Sequence, residues 1–383
     1  TNRQLLTSVS SDRTEVYSER ERVIPEWLDQ GKHPSTQDLP ILDVLSDILQ
    51  SLNERPNLLL EAPPGAGKTT IVPIAILHDF FLQTKQSEDL PNVIVVEPRR
   101  VAVRSAAVRL ANLLNERVGQ TVGYAMRGDA NISPTKTRII VMTDGVLLNR
   151  LQQDPELSNV DAILLDEFHE RGVGSDTCLA LCREVQKIFR PDLKLIIMSA
   201  TLLGSTASFN QQQQKEDEEE ENANKNEVSP YANLMMAMGG PSECQVVQSL
   251  GRQYPIDIIW GNEISMKTTT IGSSPNLMRL PLSRLKQDRK ELVKRMCHTI
   301  LQAIPQSRGG DILVFLPGAA EIRNVVRMLK DEQSRGGTGK NSAAVLADWD
   351  ILPLFGALSR EEQDLAISSS HQSPRIIVSS PIA

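Results

Sequence analysis

The sequence predicts an α/β protein made of two parallel-sheet domains in tandem, the second of them incomplete. Three observations carry this. Short apolar runs alternate with helix-like patterns between residues 57 and 198, the signature of strand–helix–strand crossovers in a sheet covered on both faces. A Ser/Thr/Gly/Pro-rich connection over 261–285 interrupts the pattern. Strand–helix–strand alternation then resumes from 286 to 383, with three strands and three helices, too few for a complete doubly wound sheet.

Taken in order, residues 1–37 are polar and charged, with Trp27 as a large aromatic anchor, and read as a weakly ordered lead-in. A helix is expected over 40–52, with Ile41, Val44, Leu45, Ile48 and Leu52 on one face. Strands follow at 57–61, 92–96, 138–142, 161–165 and 193–198, and helices at 68–82, 99–115, 144–153 and 175–189. The first domain is placed at 38–260 and ends in a strand at 256–260. Within it, residues 209–228 hold two lysines against seven acidic residues, a net of −5, beside a Gln211–Gln214 run. Such a segment cannot bury enough apolar area to order itself and reads as a solvated insertion. In the second domain a helix is expected over 286–304, a strand over 311–316 and a helix after Pro317-Gly318 that carries Ile322, Val325, Val326 and Leu329 at helical spacing. After a Gly/Ser-rich loop over 333–342, strands at 351–355 and 375–379 flank a helix at 359–367.

Composition narrows the function. The 383 residues suit two domains. Aromatic content of 4% argues against base-stacking platforms as the main grip on nucleic acid. The net charge of −7 falls to near −2 outside the acidic insertion, which leaves room for a local basic channel. Cys178, Cys182, Cys244 and Cys297 form no C-x-x-C pair and read as reduced thiols of an intracellular compartment, with Cys178 and Cys182, one helical turn apart, as core thiols. No apolar run is long enough to cross a membrane.

Two motifs carry chemistry. Glu61-Ala-Pro-Pro-Gly65-Ala66-Gly67-Lys68-Thr69-Thr70 stands between an apolar run and a helix, the context in which a Walker A sequence is a phosphate cradle. Ala62 replaces the first glycine of that pattern. Gly65 and Gly67 let successive N–H groups turn toward one anion. Lys68 reaches the β- and γ-phosphates, Thr69 ligates Mg²⁺, and the helix start adds its dipole. The second motif, Asp166-Glu167-Phe168-His169-Glu170, ends an apolar strand, where ligands of open α/β sheets bind. Asp166 is placed to hold the Mg²⁺ shell and Glu167 to polarise the attacking water.

With these motifs, the chain resembles the superfamily 2 helicases of the DEAH class, and within it the HrpB-type ATP-dependent RNA helicases, from about residue 40 to the last. The likeness rests on eight short blocks in order, the DExH box among them. They are Glu97-Pro-Arg99-Arg100, Thr143-Asp144-Gly145, the DExH box through Arg171, Ser199-Ala200-Thr201, Gly251-Arg252-Gln-Tyr254-Pro255, Phe315-Leu316-Pro317-Gly318, Leu354-Phe-Gly356 and Ile377-Val-Ser379-Ser380-Pro381.

The resemblance implies two RecA-like domains with Mg·ATP between them and single-stranded nucleic acid, RNA favoured, across both. It implies backbone-phosphate contacts for Arg99, Arg100, Thr143 and Ser380. It implies coupling of ATP state to that groove by Ser199 and Thr201, a hydrogen bond from His169 toward that pair, and stacking of Arg109 on adenine. The residues leave plainer readings open: Arg99 and Arg100 as surface arginines at a helix start, Thr143 and Asp144 as a helix cap, Ser199 and Thr201 as turn residues, His169 as a turn histidine, Arg109 as a solvated helix arginine. The sequence departs from the family at Ile367, where an aromatic covers adenine, and at Pro381, where motif V has Asn. The arginine-finger motif and the later family domains are not within the sequence. The expected activity is an NTP-driven RNA helicase or translocase; a DNA-tracking helicase and a non-hydrolysing ATP- or partner-binding module remain as alternatives.

Overall fold

Leu58, Leu59 and Leu60 are all fully buried, as a strand covered on both faces of a parallel sheet requires. The computed structural model describes residues 39–83, 91–201, 230–250, 282–307, 309–334, 346–367 and 373–380, and the chain divides into two compact units, Thr1–Tyr254 and Pro255–Ala383. The lead-in, the acidic insertion, the strand at 256–260 and most of the connection at 261–285 lie outside the described residues.

In the first unit a 3-10 turn, Pro40–Val44, leads into α1 (Leu45–Glu54). Then come β1 (Asn57–Glu61), α2 (Lys68–Gln83), β2 (Val93–Glu97), α3 (Arg100–Leu113), β3 (Val122–Met126) and β4 (Asp129–Asn131). They are followed by β5 (Ile139–Thr143), α4 (Asp144–Gln153), β6 (Ala162–Leu165), α5 (Val173–Ile188), β7 (Lys194–Ser199), α6 (Pro230–Ala237) and β8 (Cys244–Gln248). The eight strands lie in the order β4-β3-β5-β2-β6-β7-β1-β8, parallel except for the β3–β4 pair.

Alternation along the strands feeds two cores, one on each face of the sheet. Leu58, Leu60, Val93, Val95, Ile196 and Met198 enter one, packed with α2 and α3 residues such as Ile71 and Leu110. Leu59, Ile94, Val96, Leu195 and Ile197 enter the other, with Leu147, Leu179 and Cys182 from α4 and α5. This layering brings the carboxyl ends of β1, β2, β6 and β7 to one edge of the sheet, where the loop, Glu97, Asp166 and Ser199 lie.

Four elements of this unit are additions to the sequence reading: β3, β4, β8 and α6. In the second unit, α7 begins at Leu282, inside the expected connection; the helix formers Leu282, Arg284, Leu285 and Lys286 carry the helix back toward Pro281.

A buried polar network closes the first unit at the opposite strand ends. Arg183, 5% exposed, donates to Ala237 O at 3.1 Å and to Glu243 Oε2 at 2.9 Å, and also bonds Gln186. Gln186 Nε2 donates to Asn57 Oδ1 at 2.8 Å, and Asn57 Nδ2 donates to Met238 O at 2.7 Å. The network ties α5 and the α6–β8 segment to the start of β1.

The second unit contains α7 (Leu282–Ala303), β9 (Ile312–Phe315), α8 (Ala319–Ser334), β10 (Asp350–Leu354), α9 (Arg360–Ile367) and β11 (Arg375–Ser379). Its sheet is parallel, in the order β10-β11-β9. Ile376 and Val378 of the central strand pack with Val293 and Ile300 of α7 and with Ile322, Val325 and Leu329 of α8. Arg375 Nε donates to Asp311 Oδ2 at 3.0 Å and its backbone N–H to Asp311 Oδ1 at 2.9 Å, which fixes the entry to β11 beside β9.

Candidate active site

The glycine loop takes its shape from backbone that only glycine adopts without strain. Gly65 and Gly67 have φ of +78° and +99°. At Gly67 a Cβ would also come within 3.0 Å of Ile41 Cγ2 and Leu39 Cδ1. The 3-10 turn before α1 is the brace for the loop: Ile41 N–H donates to Ala66 O at 3.1 Å. On the other side Ala62 N–H donates to Ser199 O at 3.0 Å, joining the loop to the end of β7. Among the described residues nothing bonds the backbone N–H groups of Gly65, Gly67, Lys68 or Thr69. N–H groups left open at a helix start are suited to an anion. The N–H groups of Ala66 and Thr70, also expected at the phosphates, donate within the loop to Pro63 O at 3.2 Å and Gly67 O at 3.1 Å.

The parallel neighbours complete the site. Thr69 Oγ1 donates to Asp166 Oδ2. Lys68, only 4% exposed, sets its ammonium 3.2 Å from Glu167 Oε1. Asp166 is buried at the end of β6 and its Oδ1 accepts from Glu167 N–H at 2.7 Å. Burial pushes the Asp166 carboxyl above its ordinary range, while the Thr69 hydrogen bond and the Lys68 charge pull the other way. The hard oxygens of Thr69 and Asp166 stand together, and Mg²⁺ takes one or two protein oxygens and completes its shell with phosphate and water. The donor set therefore fits that ion; among the described residues no group of three or more His, Cys, Asp or Glu forms a richer metal site.

A third carboxylate was not assigned a role from sequence. Glu97 ends β2, 4% exposed, in the register that sets Val96 beside Leu165 and therefore Glu97 beside Asp166. Burial, then the charges of Asp166 and Glu167, push its pKa up to about 9. At neutral pH it keeps its proton and hydrogen-bonds Asp166. The available signal was an acid closing the otherwise apolar run Val93-Ile-Val-Val96 next to the strand that ends in Asp166.

The DExH segment is a 3-10 turn, Phe168–Glu170, bounded by two left-handed residues, Glu167 at φ +49° and Arg171 at φ +51°. Phe168, 2% exposed, pins it to the core. His169 Nδ1 lies 3.4 Å from the Ala200 N–H and 3.3 Å from Glu167 Oε2. Nδ1 accepts from Ala200 when the ring proton is on Nε2 and donates to Glu167 when it carries a proton itself, so the two contacts exclude each other. Ser199, fully buried, exchanges hydrogen bonds with Thr201: its Oγ donates to Thr201 O and accepts from Thr201 N–H, both at 3.2 Å.

The expected nucleic-acid residues of this unit flank the same edge. Arg99 Nη2 donates to Glu170 Oε1 at 2.7 Å, and Arg100 Nη2 donates to Arg127 O at 3.3 Å. Thr143 precedes α4 without a side-chain capping bond; Asp144 Oδ1 accepts from Gly145 N–H instead. Arg109 stands apart. It is exposed on α3 and pairs with no described residue. It lies roughly 13 Å along the helix axis from Arg100, at 1.5 Å per residue. In the second unit Ser380 follows β11, its N–H donating to Leu354 O at 3.1 Å, and Ile367 is exposed at the end of α9.

Residues 43–208 match the DEAD/DEAH box helicases. The chain is similar to the ATP-dependent RNA helicase HrpB of Escherichia coli (strain K12), 34% identical over 340 residues that cover 89% of this chain and 33% of that protein. It is similar to the ATP-dependent RNA helicase HrpA of Borreliella burgdorferi, 30% identical over 90% of this chain and 34% of that one. The crystal structure of the E. coli DEAH/RHA helicase HrpB superposes with a TM-score of 0.61 at 33% identity, covering 90% of this chain and 35% of that one. The chain thus spans about a third of the length of the curated relatives it matches.

Proposed function

We propose that this chain, which belongs to the DEAD/DEAH box helicases, is the motor portion of an ATP-dependent RNA helicase or translocase. The observation that carries the proposal is the convergence of Lys68, Thr69, Asp166 and Glu167 on one sheet edge: the Thr69–Asp166 hydrogen bond beside the 3.2 Å Lys68–Glu167 pair.

In this reading the N–H groups of Gly65, Gly67, Lys68 and Thr69 bind the phosphates of ATP, and Lys68 leaves Glu167 to meet the β- and γ-phosphate oxygens. Thr69 Oγ1 and Asp166 would hold Mg²⁺, which would supply neutralisation of the phosphate charge. Glu167, freed from the ammonium, orients the attacking water and takes its proton as the γ-phosphorus–oxygen bond to ADP breaks. A cation held there would keep Asp166 ionised against the effect of burial. Ala66 and Thr70 keep the loop in shape. His169, Ser199 and Thr201 connect the γ-phosphate side to the β7 end. Arg99, Arg100, Thr143 and Ser380 hold backbone phosphates of RNA, and Arg109 remains the candidate for the adenine face.

Phosphate contacts position a strand without reading its bases, so little sequence preference is expected. Among the described residues no helix is long and apolar enough to cross a membrane. The four cysteines are free and buried, which supports a reducing, intracellular compartment. The test is ATPase stimulation of the full-length protein by matched RNA and DNA oligomers. Stimulation by RNA above DNA is expected; stimulation by DNA alone favours a DNA-tracking motor, and stimulation by neither ends the motor reading.

A further inference from the structure

We propose that Glu170 is a positioning residue that holds Arg99 until a backbone phosphate of RNA takes the guanidinium from it, so that nucleic-acid binding unlatches the turn carrying Glu167. The inference rests on the helicase reading above and names a regulatory contact within that site.

The pair is direct and reachable. Arg99 Nη2 and Glu170 Oε1 are 2.7 Å apart, with side chains 37% and 31% exposed, so a ligand has access to both partners. Arg99 stands at the start of α3, where the helix dipole disfavours cations. Glu170 offsets that cost, and so does any other anion that takes its place. A phosphate is the natural competitor, since guanidinium binds carboxylate and phosphate in the same forked geometry.

What Glu170 is attached to gives the competition its consequence. It is the last residue of the three-residue turn Phe168–Glu170. The residue before that turn, Glu167, faces Lys68 at 3.2 Å, and its middle residue, His169, faces Ala200 N–H at 3.4 Å. The four residues 167–170 therefore touch the phosphate loop, the end of β7 and the start of α3 through three side chains. Both flanking residues are left-handed and neither is glycine, a conformation held only by its surroundings. Loss of the Arg99 contact removes one of the holding points three residues from Glu167. Linkage requires the converse: a nucleotide state that moves the turn alters the availability of Arg99 to RNA.

The experiment measures the affinity of a fluorescent single-stranded RNA oligomer for the full-length protein, with ADP and with a non-hydrolysable ATP analogue. Wild type, Glu170→Gln, Arg99→Ala and the double variant are compared, each with its melting temperature. With ADP, Glu170→Gln is expected to tighten RNA binding by about two- to five-fold, the range of a partly exposed ion pair. It should also bring the two nucleotide states closer in RNA affinity, and both effects should vanish in the Arg99→Ala background. Unchanged or weaker binding by Glu170→Gln overturns the proposal. So does tightening that survives without Arg99, or a lower melting temperature with the wild-type ratio between nucleotide states, which would mark a merely structural pair. A wild type that binds no RNA overturns the helicase reading and this inference with it; a wild type that binds RNA while Glu170→Gln behaves identically overturns this inference alone.

Discussion

Thr69 donates its hydroxyl hydrogen bond to Asp166 across 97 residues of sequence. The contact joins the start of α2 to the end of β6, with β7 lying between β1 and β6 in the sheet. It defines where a divalent cation would sit, and the consequences can be separated by substitution.

Replacing Asp166 with Asn should leave the fold in place, because the amide oxygen still accepts from Glu167 N–H, the amide NH2 can donate to the Thr69 hydroxyl, and a buried charge is removed. Nucleotide binding should lose most of its Mg²⁺ dependence. Titration of a fluorescent ATP analogue with and without Mg²⁺ checks this; a wild-type Mg²⁺ effect in Asp166→Asn would remove Asp166 from the metal site.

The two loop glycines should respond differently to alanine. Both need positive φ, which costs an L-residue about 1–2 kcal/mol. Gly65 has open space where a Cβ would go, whereas at Gly67 it would press on Ile41 and Leu39 at 3.0 Å. Overpacking adds about 1–3 kcal/mol. Gly67→Ala should therefore lower the denaturation midpoint more than Gly65→Ala, while both weaken ATP binding. Equal losses of stability would show that the 3-10 turn does not brace the loop.

Glu97 predicts a pH signature for the nucleotide-free protein. Its carboxyl ionises near 4.5 in an unconstrained chain and at about 9 in the fold. Between these values the folded state holds a proton that the unfolded state has released. Its stabilising contribution is therefore complete below the lower value and lost as pH rises toward the upper one. Glu97→Gln removes this dependence. Its melting temperature should exceed wild type by a few degrees at pH 8 and by much less at pH 5. A constant offset at both pH values would place the glutamate's ionisation elsewhere.

Arg183 should matter to stability and not to chemistry. It is 5% exposed and bonds Ala237 O, Glu243 and Gln186 far from the loop. Arg183→Ala leaves buried acceptors unpaired and should cost about 2–3 kcal/mol. Denaturant unfolding measures the loss; a change under about 0.5 kcal/mol, the usual size for surface substitutions, would make the network incidental.

The sequence made the strands nearest the site legible because they are apolar runs buried on both faces, as at Leu58–Leu60 and Ala162–Leu165. What it hid has local reasons. The strand β3, Val-Gly-Tyr-Ala-Met, carries Gly123 and Ala125 and no apolar run. Its glycine is required by a neighbour, since a Cβ there would meet Asn131 O at 2.7 Å. The strand β8 is a short edge segment with glutamines at Gln245 and Gln248, and its partner β1 lies almost two hundred residues away. Residue types at the site were readable from spacing, but pairings were not. That Glu170 faces Arg99 and Glu97 faces Asp166 follows from strand order, which no local pattern records. The Arg183–Gln186–Asn57 network gathers single polar residues from distant segments and left no motif to read.

In the proposed motor Glu167 works on water at the end of a phosphate loop. Single-turnover ATP hydrolysis by the full-length protein, with and without single-stranded RNA, tests it most directly when wild type is set beside Glu167→Gln. The expected result is RNA-accelerated hydrolysis in wild type and, in the variant, ATP that stays bound while hydrolysis slows by at least ~10²-fold. Hydrolysis by Glu167→Gln at the wild-type rate, with ATP and RNA both bound, would contradict the account.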